Sequence, residues 1–305
     1  MRPIVFLLAA LAALAINVPA RPLPAQRAAF GPVVTTSWLA SQLESPSLVL
    51  LHVGEKAQYE REHIPGARFV DLHDVAWRSP DGLDLELLPA DTLRRRLEAL
   101  GISDDARVVV YFGQDWVTPA TRILYTLDWA GLGARSALLD GGLPAWKREG
   151  KPVTAAASPA RAGRLSTLAT RAPLVVDGDW VRAHIGQPGF TIVDARAARF
   201  YEGPQHGGHR AGHVPGAVNI PFSEIVDDRL RVKDRAQLEA LFREAGVKPG
   251  DTIVAYCHIG QQATAVVLAA RLLGHDVTLY DGSFNDWSRR TSFPVQTGKE
   301  RGSGR

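Results

Sequence analysis

The sequence predicts an α/β fold built twice: two tandem domains, each a mostly parallel sheet flanked by helices. Three observations carry this expectation. A chain of 305 residues is about twice the usual size of one domain. Short apolar runs of strand length alternate with segments of helical period. The blocks of the first half also return, in the same order, in the second.

Taken in order, Leu48 to Val53 is a mainly apolar run of strand length, and Asp91 to Leu100 puts Leu93, Leu97 and Leu100 on one helical face. Arg107 to Phe112 is a second strand, Thr121 to Gly131 a helix stopped by glycine, and Ser136 to Leu139 a third strand. The second half repeats the series. Phe190 to Asp194 is followed by a helix over Ala236 to Ala245 with Leu238, Leu241 and Ala245 on its face. Then come the strand Thr252 to Tyr256, the helix Gln262 to Gly274 and the strand Val277 to Tyr280. Strands separated by helices are the sequence form of βαβ units, and ligands of such sheets gather at the carboxyl ends of the strands.

The duplication is explicit in three blocks. His63-Ile64-Pro65-Gly66-Ala67 returns as His213-Val214-Pro215-Gly216-Ala217. Leu97 to Ile102 and Val108 to Phe112 return 145 positions on, as Phe242 to Val247 and Ile253 to Cys257. Asp140-Gly141-Gly142 with Trp146 returns as Asp281-Gly282-Ser283 with Trp287. Between the copies, a stretch rich in Ala, Ser, Thr, Arg and Pro has no sustained period, as an extended linker would. The chain therefore divides into a domain at 30–153, a linker at 154–172 and a domain at 173–298.

A net charge of +3, without any basic block, gives nucleic acid no footing. At the N-terminus, Arg2 precedes an apolar run from Ile4 to Ile16 and the small-residue pattern Val18-Pro19-Ala20. This marks residues 1–25 as a secretory signal, cleaved after Ala20 or Ala25. The run is too short to span a bilayer. The mature protein is expected in the periplasm or outside the cell, free of the membrane and monomeric.

Cys257 is the only cysteine, so no intramolecular disulfide can form. It follows the strand Thr252 to Tyr256 and precedes the next helix by about five residues. Gly260 lets the intervening loop turn tightly. The amides of His258, Ile259, Gly260, Gln261, Gln262 and Ala263 can then gather as an anion-binding nest, with the positive end of the following helix behind them. Such surroundings favour thiolate, the nucleophilic form. A lone thiol is otherwise commonly a small buried hydrophobe; its place in a strand-end loop argues for chemistry instead. Adjacent Cys257 and His258 have poor bite geometry for a metal, and nothing else stands at ligand spacing. Neither metal nor organic cofactor is expected.

With these motifs in sequence order, together with Val193-Asp194-Ala195-Arg196, Arg199-Phe200 and the run Pro215 to Pro221, residues 30–298 resemble the tandem-domain rhodanese-type sulfurtransferases. The resemblance implies that Cys257 attacks the sulfane sulfur of a small anionic donor, thiosulfate or 3-mercaptopyruvate, and becomes a persulfide. Cyanide or a thiol acceptor then removes that sulfur. It implies that the loop from His258 to Ala263 stabilises the persulfide, that Arg196 grips the donor anion, and that Arg199 stands near the place of a second such arginine. His258 is a further donor-binding candidate, and Asp194 is expected to order the local backbone. His63, His213, Asp140, Asp281, Trp146 and Trp287 recur in both copies and are expected to be structural.

The first copy has Phe112 where the second has Cys257, and His52 and Gly54 where the second has Asp194 and Arg196. Its loop, Phe112 to Pro119, reads as two residues longer before the helix resumes. That half is expected to be catalytically silent and to wall the cleft. The loop also departs from the family patterns. Thiosulfate-preferring members carry Cys-Arg-Lys-Gly-Val-Thr and mercaptopyruvate enzymes Cys-Gly-Ser-Gly-Val-Thr, whereas this chain has Cys-His-Ile-Gly-Gln-Gln. The donor stays open, with thiosulfate ahead because His258 can carry charge. A phosphatase or arsenate reductase would need an arginine closing the loop, and none follows Gly260. A low-turnover persulfide carrier or binding protein is the alternative from a different class.

Overall fold

The computed structural model describes residues 30–114, 116–159, 161–203 and 209–299. The signal segment expected at 1–25 lies outside the described residues. The first half contains β1 (Val33–Val34), α1 (Thr36–Ala40), β2 (Leu48–Val53), α2 (Lys56–Arg61), β3 (Ala67–Val70) and α3 (Leu72–Val75). It continues with β4 (Ala76–Trp77), β5 (Glu86–Leu87), α4 (Ala90–Ala99), β6 (Arg107–Phe112), α5 (Thr118–Trp129), β7 (Ser136–Leu139) and α6 (Gly142–Arg148). The second half contains β8 (Val175–Val176), α7 (Gly178–Ala183), β9 (Phe190–Asp194), α8 (Ala198–Tyr201) and β10 (Val218–Asn219). It ends with α9 (Arg235–Ala245), β11 (Thr252–Tyr256), α10 (Ala263–Leu273), β12 (Val277–Tyr280) and α11 (Ser283–Arg289).

Each half holds one five-stranded sheet, ordered β1-β7-β6-β2-β3 in the first and β8-β12-β11-β9-β10 in the second, with every pair parallel. The two orders are the same order, so the sequence repeat is a repeat of topology. The central strands β6 and β11 are buried because helices cover both faces, which explains their unbroken apolar runs. The hairpin β4-β5 is an antiparallel addition to the first half that the apolar runs did not announce.

The repeated motifs have local physical causes. His63 Nδ1 bonds to the Tyr59 carbonyl at 2.6 Å and its ring stacks on Tyr59; His213 does the same with Tyr201 at 2.7 Å. The next amide, of Ile64 or Val214, donates at 3.1 Å to the hydroxyl of Tyr111 or Tyr256, each at the end of a central strand. Trp146 and Trp287 donate from Nε1 to the carbonyls of Pro152 and Pro294. Residues 154–159 and 161–171 run over the first domain without helix or strand: Thr154 pairs with His63, Gly163 donates to Glu98, and Leu165 is buried.

The two halves meet along α5 and α10. Leu268 of α10 packs into a core of the first half and Tyr125 of α5 into one of the second. Each half also sends an arm to the other. Leu85 (φ 59°) and Leu230 (φ 62°), 145 positions apart, take left-handed turns that bring the following amides of Leu87 and Val232 onto Asp281 and Asp140. The recurring aspartates thus act between domains, each accepting from the opposite arm. No helix among the described residues is long and apolar enough to cross a membrane.

Candidate active site

Cys257 stands one residue past the end of β11 and is fully buried. Its amide donates to Ser283 Oγ at 3.1 Å, and the Ser283 hydroxyl donates to the Tyr280 carbonyl at 2.8 Å. Ser283 adopts φ +53°, and its counterpart Gly142 adopts φ +54°. The difference is coupled to the thiol. A Cβ on Gly142 would come within 2.8 Å of the Phe112 ring, so the large side chain of the first copy requires glycine there. The small Cys257 leaves room for serine, whose Oγ accepts the Cys257 amide.

Three carbonyls at the Cys257 loop are tied outward. Cys257 O accepts from Phe284 N and His258 O from Asn285 N, both at 3.0 Å, and Gly260 O accepts from Arg122 Nη1 at 3.1 Å. Every peptide among the described residues is trans, so the N–H groups that follow these carbonyls, on His258, Ile259 and Gln261, point to the opposite side. Among the described residues the amides of Ile259, Gly260, Gln261 and Gln262 have no acceptor. Gly260 makes the turn at φ +79°, and α10 begins at Ala263. The arrangement can hold an anion by backbone amides in front of a helix N-terminus.

The structure corrects the place of Arg196. Its guanidinium is fully buried and forked on Asp194, with Nε at 2.9 and 3.1 Å and Nη2 at 2.6 Å, while Nη2 also reaches the Gly212 carbonyl at 2.7 Å. The Phe284 ring covers it at 4.0 Å, and only Nη1 lacks a partner. An open clamp for a donor was expected; the residue lies under the site because Asp194, two residues earlier, draws the fork inward. Burial works against its charge, but Asp194, then Tyr256 and the Cys257 thiol, outweigh that and hold its pKa above the ordinary value. Asp194 Oδ1 also accepts from the Arg196 amide at 2.9 Å.

At the surface, exposed Arg199 lies over the Phe200 ring at 4.8 Å, and Phe200 meets the half-buried His258 ring edge-on at 4.7 Å. The loop of the first copy is not longer, as its sequence suggested. Thr118 opens α5 six residues after Phe112, as Ala263 opens α10 six residues after Cys257. A hollow of about 320 Å³ remains at the first copy's strand ends, lined by Val53, Gly54, Gln58, Phe112, Gly113 and Trp116. Trp116 crosses to the second half and meets Phe222 edge-on at 5.1 Å.

Two site residues escaped the sequence reading. Arg122 is fully buried on α5 and bonds both Gly260 and Asp281. Its one signal was a lone basic residue in a helix with many apolar positions, since buried charge is rare unless paired. Glu86 lies beside it on the arm, with Oε1 buried and unpartnered. No local pattern marks it. Among the described residues no group of three or more His, Cys, Asp or Glu side chains is placed to hold a metal.

The family model for the rhodanese-like domain matches residues 35–149 and again 177–290. The chain belongs to the rhodanese-like family. Its relatives include a thiosulfate sulfurtransferase of Azotobacter vinelandii, 31% identical over 87% of this chain and 96% of that protein. A 3-mercaptopyruvate sulfurtransferase of Rattus norvegicus is 32% identical over 86% and 93%. The sulfur carrier protein TtuD of Thermus thermophilus is 30% identical over 88% and 97%. Among solved structures, YnjE superposes with a TM-score of 0.78 at 23% identity, covering 88% of this chain and 69% of that one, which supports the fold. The chain is a transferase of the rhodanese type.

Proposed function

We propose that this rhodanese is an exported, monomeric sulfurtransferase that moves a sulfane sulfur from a small anionic donor to cyanide or a thiol through a persulfide on Cys257. Thiosulfate is the first donor and 3-mercaptopyruvate the second, in line with the named activities of its relatives. The observation that carries the reading is the loop itself: one thiol at a strand end, with unpaired amides beside it, of which those of Ile259 and Gln261 follow carbonyls held by α11 and Arg122.

With thiosulfate, the Cys257 thiolate attacks the outer sulfur. The donor's S–S bond breaks, sulfite leaves with the electron pair, and a cysteine persulfide anion remains. Cyanide takes the outer sulfur as thiocyanate and restores the thiolate. The amides from His258 to Ala263 hold the sulfur anion in both states. Exposed Arg199 and the neighbouring His258 receive the donor's charge. Arg196 acts from beneath through its field, paired with Asp194. Export rests on the sequence of residues 1–25.

The test is intact mass of the mature protein after brief exposure to thiosulfate or to 3-mercaptopyruvate, then to cyanide, with Cys257→Ser as control. A gain of about 32 Da that cyanide removes and the control lacks is the expected result. No gain with either donor, in protein whose thiol is free, overturns the proposal. The relative named as a sulfur carrier favours a second reading, in which the same persulfide forms but is delivered to a partner with little turnover. A gain of mass that cyanide and small thiols discharge only slowly would select it.

A further inference from the structure

The Cys257 loop is not held by its own domain alone. The first turn of α11 takes the carbonyls of Cys257 and His258, but that of Gly260 is taken by Arg122 from the half that carries no thiol. Arg122 also pairs with Asp281 through both Nη atoms and donates from Nη2 to the Leu85 carbonyl. One side chain thus joins the loop, the recurring aspartate and the arm of the silent half. The fit is close on every side. A Cβ on Gly260 would meet Asp281 Oδ1 at 2.6 Å, Asp281 O at 2.7 Å and Arg122 Nη1 at 2.8 Å. The same face of α5 touches the loop once more, through Thr118 Oγ1, which accepts from Gln261 Nε2 at 3.1 Å, and reaches the first turn of α10 through the Thr121–Thr264 hydroxyl pair at 2.8 Å.

Stability alone does not account for an arginine there. A buried ion pair is commonly no better than well-packed apolar residues of similar volume, and the neighbours Ile123 and Leu124 are already apolar and buried. What an apolar side chain cannot do is take the Gly260 carbonyl. Because the peptide is trans, a carbonyl held toward Arg122 sends the Gln261 N–H the other way, to the side of the loop with the free amides.

We infer that Arg122 is a positioning residue for the Cys257 loop: by holding the Gly260 carbonyl outward across the domain boundary, it aims the Gln261 amide at the sulfur anion. The silent half then supplies part of the anion site's geometry. This deepens the proposed function and rests on it for its meaning, though one arm of the test does not need a sulfur donor.

The test uses the full chain with Arg122→Met and Arg122→Lys. Arg231→Met serves as control, because its pairs with Glu149 at 2.7 Å and Asp140 at 3.8 Å also join the halves but lie at the silent copy. Single-turnover persulfide formation, steady-state kcat and KM, and the melting temperature are measured for each. Arg122→Met is expected to slow persulfide formation and lower kcat by roughly tenfold, an indirect fraction of losing an oxyanion donor outright, with KM nearly unchanged. Lysine, which still reaches one acceptor, should recover part of the rate. Arg231→Met should lower the melting temperature without slowing the reaction. In the donor-free arm, the pH profile of Cys257 alkylation by iodoacetamide should move to higher pH in Arg122→Met. An unmoved profile, or a rate loss that Arg231→Met reproduces at equal melting temperature, overturns the inference. If Arg122→Met does not fold, a wild-type rate and alkylation profile in Arg122→Lys overturns it instead. Absence of persulfide in the wild type with a shifted alkylation profile would sink the proposed reaction while leaving the positioning role standing.

Discussion

Glu86→Gln should make the protein more stable at alkaline pH and leave it unchanged in acid. Glu86 lies in the interdomain arm with Oε1 buried and unpartnered. Burial first, then the charge of Asp281, pushes its carboxyl up to about 8; Arg122 opposes this, while Asp286 and Asp81 add to it. The ordinary value for the group is 4.5, so between that pH and about 8 the native state holds a proton that the unfolded state has lost. The contribution is therefore complete below about 4.5 and is lost as pH rises through about 8. The full difference corresponds to about 5 kcal/mol, and solvent screening of this partly buried group reduces the expected effect to about 2–3 kcal/mol. Glutamine mimics the protonated acid and cannot ionise. In denaturant unfolding at steps from pH 4.5 to 9, the two proteins should start together, diverge up to about pH 8 and stay about 2–3 kcal/mol apart above it. Curves that remain parallel across the whole range would refute the reasoning.

Four further outcomes follow from the same geometry. Gly260→Ala, with φ +79° and three contacts under 3.0 Å for its new Cβ, should cost at least about 2 kcal/mol in thermal or denaturant unfolding and abolish sulfur transfer. Arg196→Met should cost about 3–5 kcal/mol by stranding buried Asp194, and adding Asp194→Asn should recover a large part in a denaturation midpoint. Phe112→Cys should cost about 3 kcal/mol through the cavity it leaves, and should not restore turnover to Cys257→Ser, because the first copy has His52 and Gly54 in place of the buried pair. Exposed Arg199→Met should stay within about 0.5 kcal/mol of wild-type stability while raising KM for thiosulfate several-fold in a steady-state assay.

The sequence by itself determined the two copies, the strand and helix order within each, and Cys257 at a strand end. Each of these depends on local period and on residues close in the chain: apolar runs at β6 and β11, a glycine for the turn at 260, and histidines that pair four or twelve residues back. The helix boundaries shifted by one to three residues, most at α5, where Thr118 starts the helix ahead of the expected Thr121 and removes the apparent extra loop length. Tertiary structure alone decided what faces the thiol. Arg196 and Arg199 stand three residues apart, the first just before α8 and the second on it, yet Asp194 buries the first under Phe284 while the second stays in solvent. Arg122, 135 positions before Cys257 in the chain, bonds its loop because α5 packs against α10. No local pattern encodes such a contact, since its partners are brought together only when the two halves pack.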